Sequence, residues 1–276
     1  MASLHNQIHW AFKVEGERAV AGLLFGGIPC WGRDTVAETR LNYLEQTFYA
    51  KRKKPRWQRI NPDQAKEYAR SSELAVLMAN PDDHSSIKAA SEFAAEFGGQ
   101  GTLAVLFATK PDLGSIRGKR RSVSSKNRRG TAPFCLLRTE HSFDPPMQLN
   151  AFIKPFALGW EGLIGVDFTD VREVITPGKS GWYVSGVSHG ANRAYEAASH
   201  AITLAQNAGV PLGGIETALV TITAGGIKLA ELRKVKYVVH TNLGADTSVL
   251  LAHQWDYQDE TFLTVELLLT AQLGGP

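Results

Sequence analysis

The sequence predicts an α/β protein: a parallel sheet with helices on both faces in the Rossmann manner, followed by a smaller α/β domain with a mixed sheet. Three observations lead there. Over the first 112 residues, short apolar runs alternate with amphipathic stretches of helical period, the pattern of strands covered on both faces by helices. Residues 113–145 then change character. Near the end, strand-like runs follow one another with no helix between them, which a purely parallel sheet does not allow.

Each element follows in order. Residues 18–25 (RAVAGLLF) form a short apolar strand, and 26–32 (GGIPCWG) break it. Residues 34–49 space Val36, Leu41, Leu44 and Phe48 as a helix does. Residues 73–79 (ELAVLMA) are a second buried strand, stopped by Asn80-Pro81-Asp82-Asp83. A helix over 85–97 puts Ile87, Ala90, Phe93, Ala94 and Phe97 on one face, and 102–109 (TLAVLFAT) are a third strand. Residues 113–145 mix Ser, Gly and cations and end in Asp144-Pro145-Pro146, which reads as a long surface loop. Helical periodicity over 147–159 is interrupted at Pro155.

From Gly162 the chain reads as a second domain. It predicts a short helix at 168–175, a strand at 181–187 (GWYVSGV), and a helix whose stripe is Ala191, Ala194, Tyr195, Ala198, Ile202 and Ala205. After the loop at 211–214 come a strand at 216–223, a helix at 229–241 and strands at 247–254 and 262–270. In the last strand Leu263, Val265, Leu267 and Leu269 face one way, and Phe262, Thr264, Glu266 and Leu268 the other. The predicted organisation is a first α/β domain at 1–145 carrying the basic loop 113–145, a connecting helix at 146–161, and a second α/β domain at 162–276.

Charge is unevenly spread. The 276 residues hold 30 Lys and Arg against 27 Asp and Glu, a net of +3. Lys51, Arg52, Lys53, Lys54, Arg56 and Arg59 fall within nine residues, and Arg117, Lys119, Arg120, Arg121, Lys126, Arg128 and Arg129 within thirteen. Setting those 13 aside leaves 17 basic residues against 27 acidic ones, a net of −10. Two such runs on an acidic body suit an acidic partner: a protein, an anionic lipid surface or a nucleic acid, with Trp57 placed to stack on a base. The plain alternative is a pair of solubilising loops. With 43% hydrophobic and 21% charged residues, the composition excludes a disordered or collagen-like chain. No apolar run reaches the length of a membrane span, and no secretory leader is visible. Cys30 and Cys135 make no disulfide framework, so a cytoplasmic location is expected.

Few residues suggest chemistry by themselves. A strand, then Gly26, Gly27 and Gly32, then a helix could present backbone N–H groups to a phosphate. Ile28, Pro29 and Trp31 hinder a close approach, and an ordinary strand-to-helix turn explains the same residues. Asp82 and Asp83 suit a helix start and repel phosphate unless Mg²⁺ intervenes. Asp167 and Asp170, three apart, share a helix face and could polarise water or hold a metal; a capped helix start is the plainer reading. His84, His141, His189, His200, His240 and His253 lack metal-ligand spacing, and Ser185, Ser188 and His189 form no recognisable triad.

The second half resembles the FtsZ branch of the FtsZ/tubulin superfamily. Gly162-Leu163-Ile164-Gly165-Val166-Asp167-Phe168-Thr169-Asp170-Val171 is similar to that family's catalytic loop, G-L-[IM]-N-x-D-F-[AS]-D-[VI], with Gly165 in place of the usual Asn. Ser185-Gly186-Val187-Ser188-His189-Gly190-Ala191-Asn192-Arg193-Ala194 resembles its Gly-rich strand end and Ala-rich helix. Leu219-Val220-Thr221-Ile222-Thr223-Ala224-Gly225 and the strand at 264–270 resemble later family strands, and 102–111 an earlier one. The family's G-G-G-T-G-[TS]-G phosphate signature would follow Ala79, where Asn80-Pro81-Asp82-Asp83-His84-Ser85-Ser86 contains no glycine. The resemblance therefore implies an FtsZ/tubulin-like fold and a cytoskeletal or cell-division role in a filament. It implies a non-hydrolysing pseudo-subunit in which Asp167 and Asp170 complete a neighbour's site, head to tail with itself or an FtsZ-like protein. No cofactor of its own is expected. The alternatives are a GTPase that still binds GTP with Mg²⁺ through an altered site, and a basic-loop module for nucleic acid or anionic lipid.

Overall fold

The structure, a computed structural model, describes residues 8–15, 19–25, 56–60, 62–79, 84–97, 102–109, 135–139, 162–176, 178–255 and 261–272. The chain divides into two units, Met1–Leu158 and Gly159–Pro276. The first holds strands β1 (Ile8–Glu15), β2 (Ala19–Phe25), β3 (Arg56–Ile60), β4 (Leu74–Ala79), β5 (Leu103–Thr109) and β6 (Cys135–Thr139), with helices α1 (Pro62–Ser71) and α2 (His84–Phe97). β2, β4, β5 and β6 run parallel, with Val20 beside Leu74 and Leu74 beside Leu103. Every residue of β4 is buried, as its unbroken apolar sequence requires. Helix α2 buries Ala89, Ala90, Phe93 and Ala94, one stripe at helical spacing. Pro62 opens α1, where its missing N–H leaves no bond unmade.

Two features of this unit go beyond the sequence reading. The parallel sheet carries an antiparallel edge: β1 pairs antiparallel with both β2 and β3, giving the order β3-β1-β2-β4-β5-β6. Residues 113–145 are not one loop, because β6 pairs with β5 from Val105↔Cys135 to Thr109↔Thr139. Five residues, CLLRT, are too few to show a period, and the neighbouring strand supplies the partner. The expected helices at 34–49 and 147–159 lie outside the described residues.

The second unit contains α3 (Phe168–Val174), β7 (Lys179–His189), α4 (Arg193–Asn207), a one-turn 3-10 helix (Leu212–Gly214), β8 (Thr217–Ala224), α5 (Leu229–Asn242), β9 (Ser248–Trp255) and β10 (Phe262–Gln272). Its strand order is β7-β10-β8-β9. β10 pairs antiparallel with β7 and β8, while β8 and β9 are parallel. The sheet is mixed because only six residues separate β9 from β10, too few for the crossover that a parallel strand needs.

One face of this sheet packs on α4 and α5. Leu263, Val265, Leu267 and Leu269 meet Val220, Ile222 and the helices' apolar stripes there. The stripe of α4 is Ala194, Ala197, Ala198, Ala201, Ile202 and Ala205. Tyr195, expected in it, is half exposed, and Ala191 precedes the helix. Small residues let α4 lie close to β7. A Cβ on Gly186 would stand 2.2 Å from the Ala197 carbonyl oxygen and 2.5 Å from the Ala201 nitrogen. On the opposite face Leu268 and Glu266 are also buried. The Tyr183 hydroxyl faces Glu266, and burial together with that carboxylate pushes it well above the ordinary tyrosine range.

Candidate functional site: the acid-bearing loop and helix

Asp167 and Asp170 lie at the start of α3 and cap it reciprocally. Asp167 is the N-cap, with extended backbone (φ −86°, ψ 172°). The Asp170 N–H donates to Asp167 Oδ1 at 2.8 Å, and the Asp167 N–H donates to Asp170 Oδ2 at 3.0 Å. The i, i+3 spacing that marks a shared face thus also makes a capping box, here with Asp in the N3 place of Glu or Gln. Each carboxylate commits one oxygen to the backbone and is fixed in direction by it. Asp167 is exposed and Asp170 half-buried. The arrangement is a pair of oriented carboxylates on a short, rigid turn, able to hydrogen-bond water or a cationic group.

The turn is braced at both ends. Before the helix, the loop lies along β9: the His253 N–H donates to the Ile164 carbonyl at 2.8 Å, and the Leu163 N–H donates to His253 Nδ1 at 3.1 Å. Gly162 is required by this contact, since a Cβ there would fall 1.8 Å from the His253 carbonyl oxygen. The His253 ring is fully buried and stands edge-on to Trp255 at 4.5 Å. Burial lowers its pKa against an opposing pull from the Ala224 carbonyl. A neutral ring is what the geometry needs, because only an unprotonated Nδ1 accepts from Leu163. After the helix, Lys179 Nζ donates to the Glu173 carbonyl at 3.1 Å and to Thr217 Oγ1 at 3.3 Å. Thr270 Oγ1 donates to the Val174 carbonyl at 2.9 Å. A cation on the last carbonyls of a helix also suits its dipole.

A second polar brace ties α4, α5 and β10 together. Arg193 Nε donates to Glu231 Oε1 at 2.8 Å, and its Nη atoms reach the Phe262 carbonyl at 3.3 Å and the Gly226 carbonyl. Glu231 also accepts from the Lys228 N–H at 2.9 Å, capping α5. Burial pushes the Glu231 carboxyl up, yet the Arg193 and Lys228 bonds and charges outweigh it and hold it below the usual range. Arg193 is therefore a structural clamp, a role its place in the Gly190–Ala194 motif does not reveal.

The remaining sequence candidates are spread elsewhere. Arg56 and Arg59 lie on β3. Gly26, Gly27, Gly32, Lys51, Arg52, Lys53, Lys54, Asp82 and Asp83 lie outside the described residues, as do Arg117, Lys119, Arg120, Arg121, Lys126, Arg128 and Arg129. The four residues joining β4 to α2 comprise one Asn, one Pro and two Asp. Proline in this stretch supplies no N–H, and the two carboxylates repel phosphate unless Mg²⁺ intervenes. Among the described residues no three His, Cys, Asp or Glu side chains gather as a metal site, and no helix is long and apolar enough to cross a membrane.

Fold and loop together define an α/β architecture of the FtsZ/tubulin type. An FtsZ dimer structure of M. jannaschii superposes with a TM-score of 0.57 at 19% identity, over 76% of this chain and 66% of that one. No family model matches the chain. In sequence, the cell division protein FtsZ of Buchnera aphidicola subsp. Schizaphis graminum is 34% identical over 110 residues, 40% of this chain and 29% of that protein. FtsZ of Coxiella burnetii is 36% identical over 118 residues, 41% and 31% of the two chains. The matches thus span less than a third of these relatives. The chain thus shares the fold of FtsZ/tubulin-type proteins and is similar in sequence to these FtsZ proteins over about 40% of its length.

Proposed function

We propose that this protein is a cytoplasmic, cell-division-related assembly component that joins an FtsZ-like filament head to tail as a pseudo-subunit. It offers Asp167 and Asp170 to a nucleotide held by the adjoining subunit and holds no nucleotide itself. One contrast supports the reading. The acid-bearing turn is capped, pinned by His253 and anchored through Lys179 and Thr270, whereas the β4–α2 connection lacks every glycine of a phosphate loop. A chain that had lost both functions would have no need of the first construction. In the filament the oriented carboxylates would hydrogen-bond and position water at the partner's phosphate, a geometry-dependent contribution. The chain would then regulate or terminate filaments, since a subunit without nucleotide supports no further turnover at its own end.

The test mixes the protein with an FtsZ-like GTPase of the same cell and follows phosphate release. Wild type should alter the partner's rate, and Asp167→Asn/Asp170→Asn, which keeps the capping bonds, should abolish the effect. Equal rates with the two proteins would sink the idea.

A further inference from the structure

The outer face of α5 is a basic strip in an acidic unit. Residues 159–276 carry seven Lys and Arg against 12 Asp and Glu, a net of −5. Four of the seven cations, Lys228, Arg233, Lys234 and Lys236, lie within nine residues at α5. The other three are engaged: Arg193 with Glu231, Lys179 on the Glu173 carbonyl, and Arg172 over the Phe168 ring. Glu231, the acid within α5, is taken up by Arg193 and the Lys228 N–H. Leu232, Val235, Val238 and Val239 face the core. Leu229, Arg233, Lys236, Tyr237 and His240 then follow one another along the outer side, with Lys234 on its flank. Leu229 and Tyr237 are 63% and 65% exposed, the two most exposed large apolar side chains among the described residues.

We infer that this strip is a docking site for an acidic peptide segment of a partner protein. Two apolar anchors stand two turns apart, about 12 Å along the axis, with cations between and beside them. Leucine and tyrosine left in water have a use when a partner covers them, and surface cations with no ion pair among the described residues favour carboxylates. The strip is one helix wide. A membrane or nucleic-acid duplex large enough to reach it would also meet the surrounding negative charge, while a narrow peptide would not. This docking does not depend on the pseudo-subunit reading, because it needs neither Asp167 nor Asp170.

The probe is a labelled synthetic peptide of glutamates with interspersed leucines, titrated into the full chain by fluorescence anisotropy. Binding should weaken steeply with salt. Arg233→Gln/Lys234→Gln/Lys236→Gln should lower affinity by roughly tenfold or more, and Leu229→Ala/Tyr237→Ala by several-fold, with unchanged circular dichroism in both. A photo-reactive amino acid in place of Tyr237 should cross-link to the peptide. Wild-type affinity in the Gln variant would overturn the proposal and move the binding to another basic segment. An unaffected Leu229→Ala/Tyr237→Ala variant would reduce it to diffuse charge attraction, also overturning it. So would co-sedimentation with phosphatidylglycerol vesicles in the absence of peptide binding.

Discussion

Replacing Asp167 and Asp170 by alanine and by asparagine separates two roles that the same carboxylates hold. Alanine at 167 removes the acceptor for the Asp170 N–H, bonded at 2.8 Å. Loss of such an N-cap costs about 0.5–2 kcal/mol. Alanine at 170 removes the acceptor for the Asp167 N–H at 3.0 Å, worth about 0.5–1.5 kcal/mol. The two bonds form one reciprocal unit, so the double variant should cost less than their sum. Asparagine retains an oxygen at each position and ranks with aspartate as a cap, so its cost should stay within a few tenths of a kcal/mol. Global unfolding does not isolate one short helix in a chain of two units. Amide exchange is direct: the Val171 N–H bonds the Asp167 carbonyl at 3.2 Å and the Ile175 N–H bonds the Val171 carbonyl at 3.0 Å. The Ala/Ala variant should speed exchange at both amides by roughly three- to thirtyfold, and Asn/Asn should leave them near wild type. Unchanged protection in Ala/Ala, or equal loss in both variants, would refute the capping argument and remove the basis for treating Asn as a charge-only change.

Three other predictions follow from the braces. His253 has a folded pKa below its ordinary 6.5, so the native loop binds fewer protons than the unfolded chain just below that value. Its stabilisation is complete above about pH 6.5 and is lost as pH falls towards the folded value, by up to ~1.4 kcal/mol per unit; exchange of the Leu163 amide read against pH checks this, and His253→Gln should remove the dependence. Arg193→Met leaves the Glu231 carboxylate, 15% exposed at its side chain, without its counter-charge and should cost about 2–4 kcal/mol in denaturant unfolding. Since Glu231 is held below its ordinary 4.5, its contribution is present above that pH and is lost as pH falls through the folded value. Gly186→Ala forces a Cβ onto the α4 backbone and should destabilise the second unit by about 1–3 kcal/mol, measured as a lowered Tm; wild-type Tm would contradict the close approach of α4 to β7.

The parts of the fold legible in the sequence are those with a local cause. β4 and β5 announce themselves as unbroken apolar runs, and α2 as a repeated stripe. β1, β3 and β6 do not, because their pairing partners supply what their sequences lack. RWQRI in β3 reads as charge until β1 is laid beside it, with Trp57 opposite Val14. The stripe of α4 was half readable: the alternative choice of Ala197 and Ala201 over Tyr195 depends on Gly186, which only the packed structure brings near. At the site, Asp167 and Asp170 are visible from their spacing. His253 is not, since its contact with Leu163 spans 90 residues. The Arg193–Glu231 clamp spans 38. Such pairs arise from topology, and single-chain periodicity carries no trace of them.

The proposed subunit is asymmetric, with a built acidic turn and no nucleotide of its own. Calorimetric titration of GTP with Mg²⁺ into the purified chain should therefore give no binding heat at millimolar nucleotide. A saturable one-to-one isotherm would show that the chain holds a nucleotide and is no pseudo-subunit.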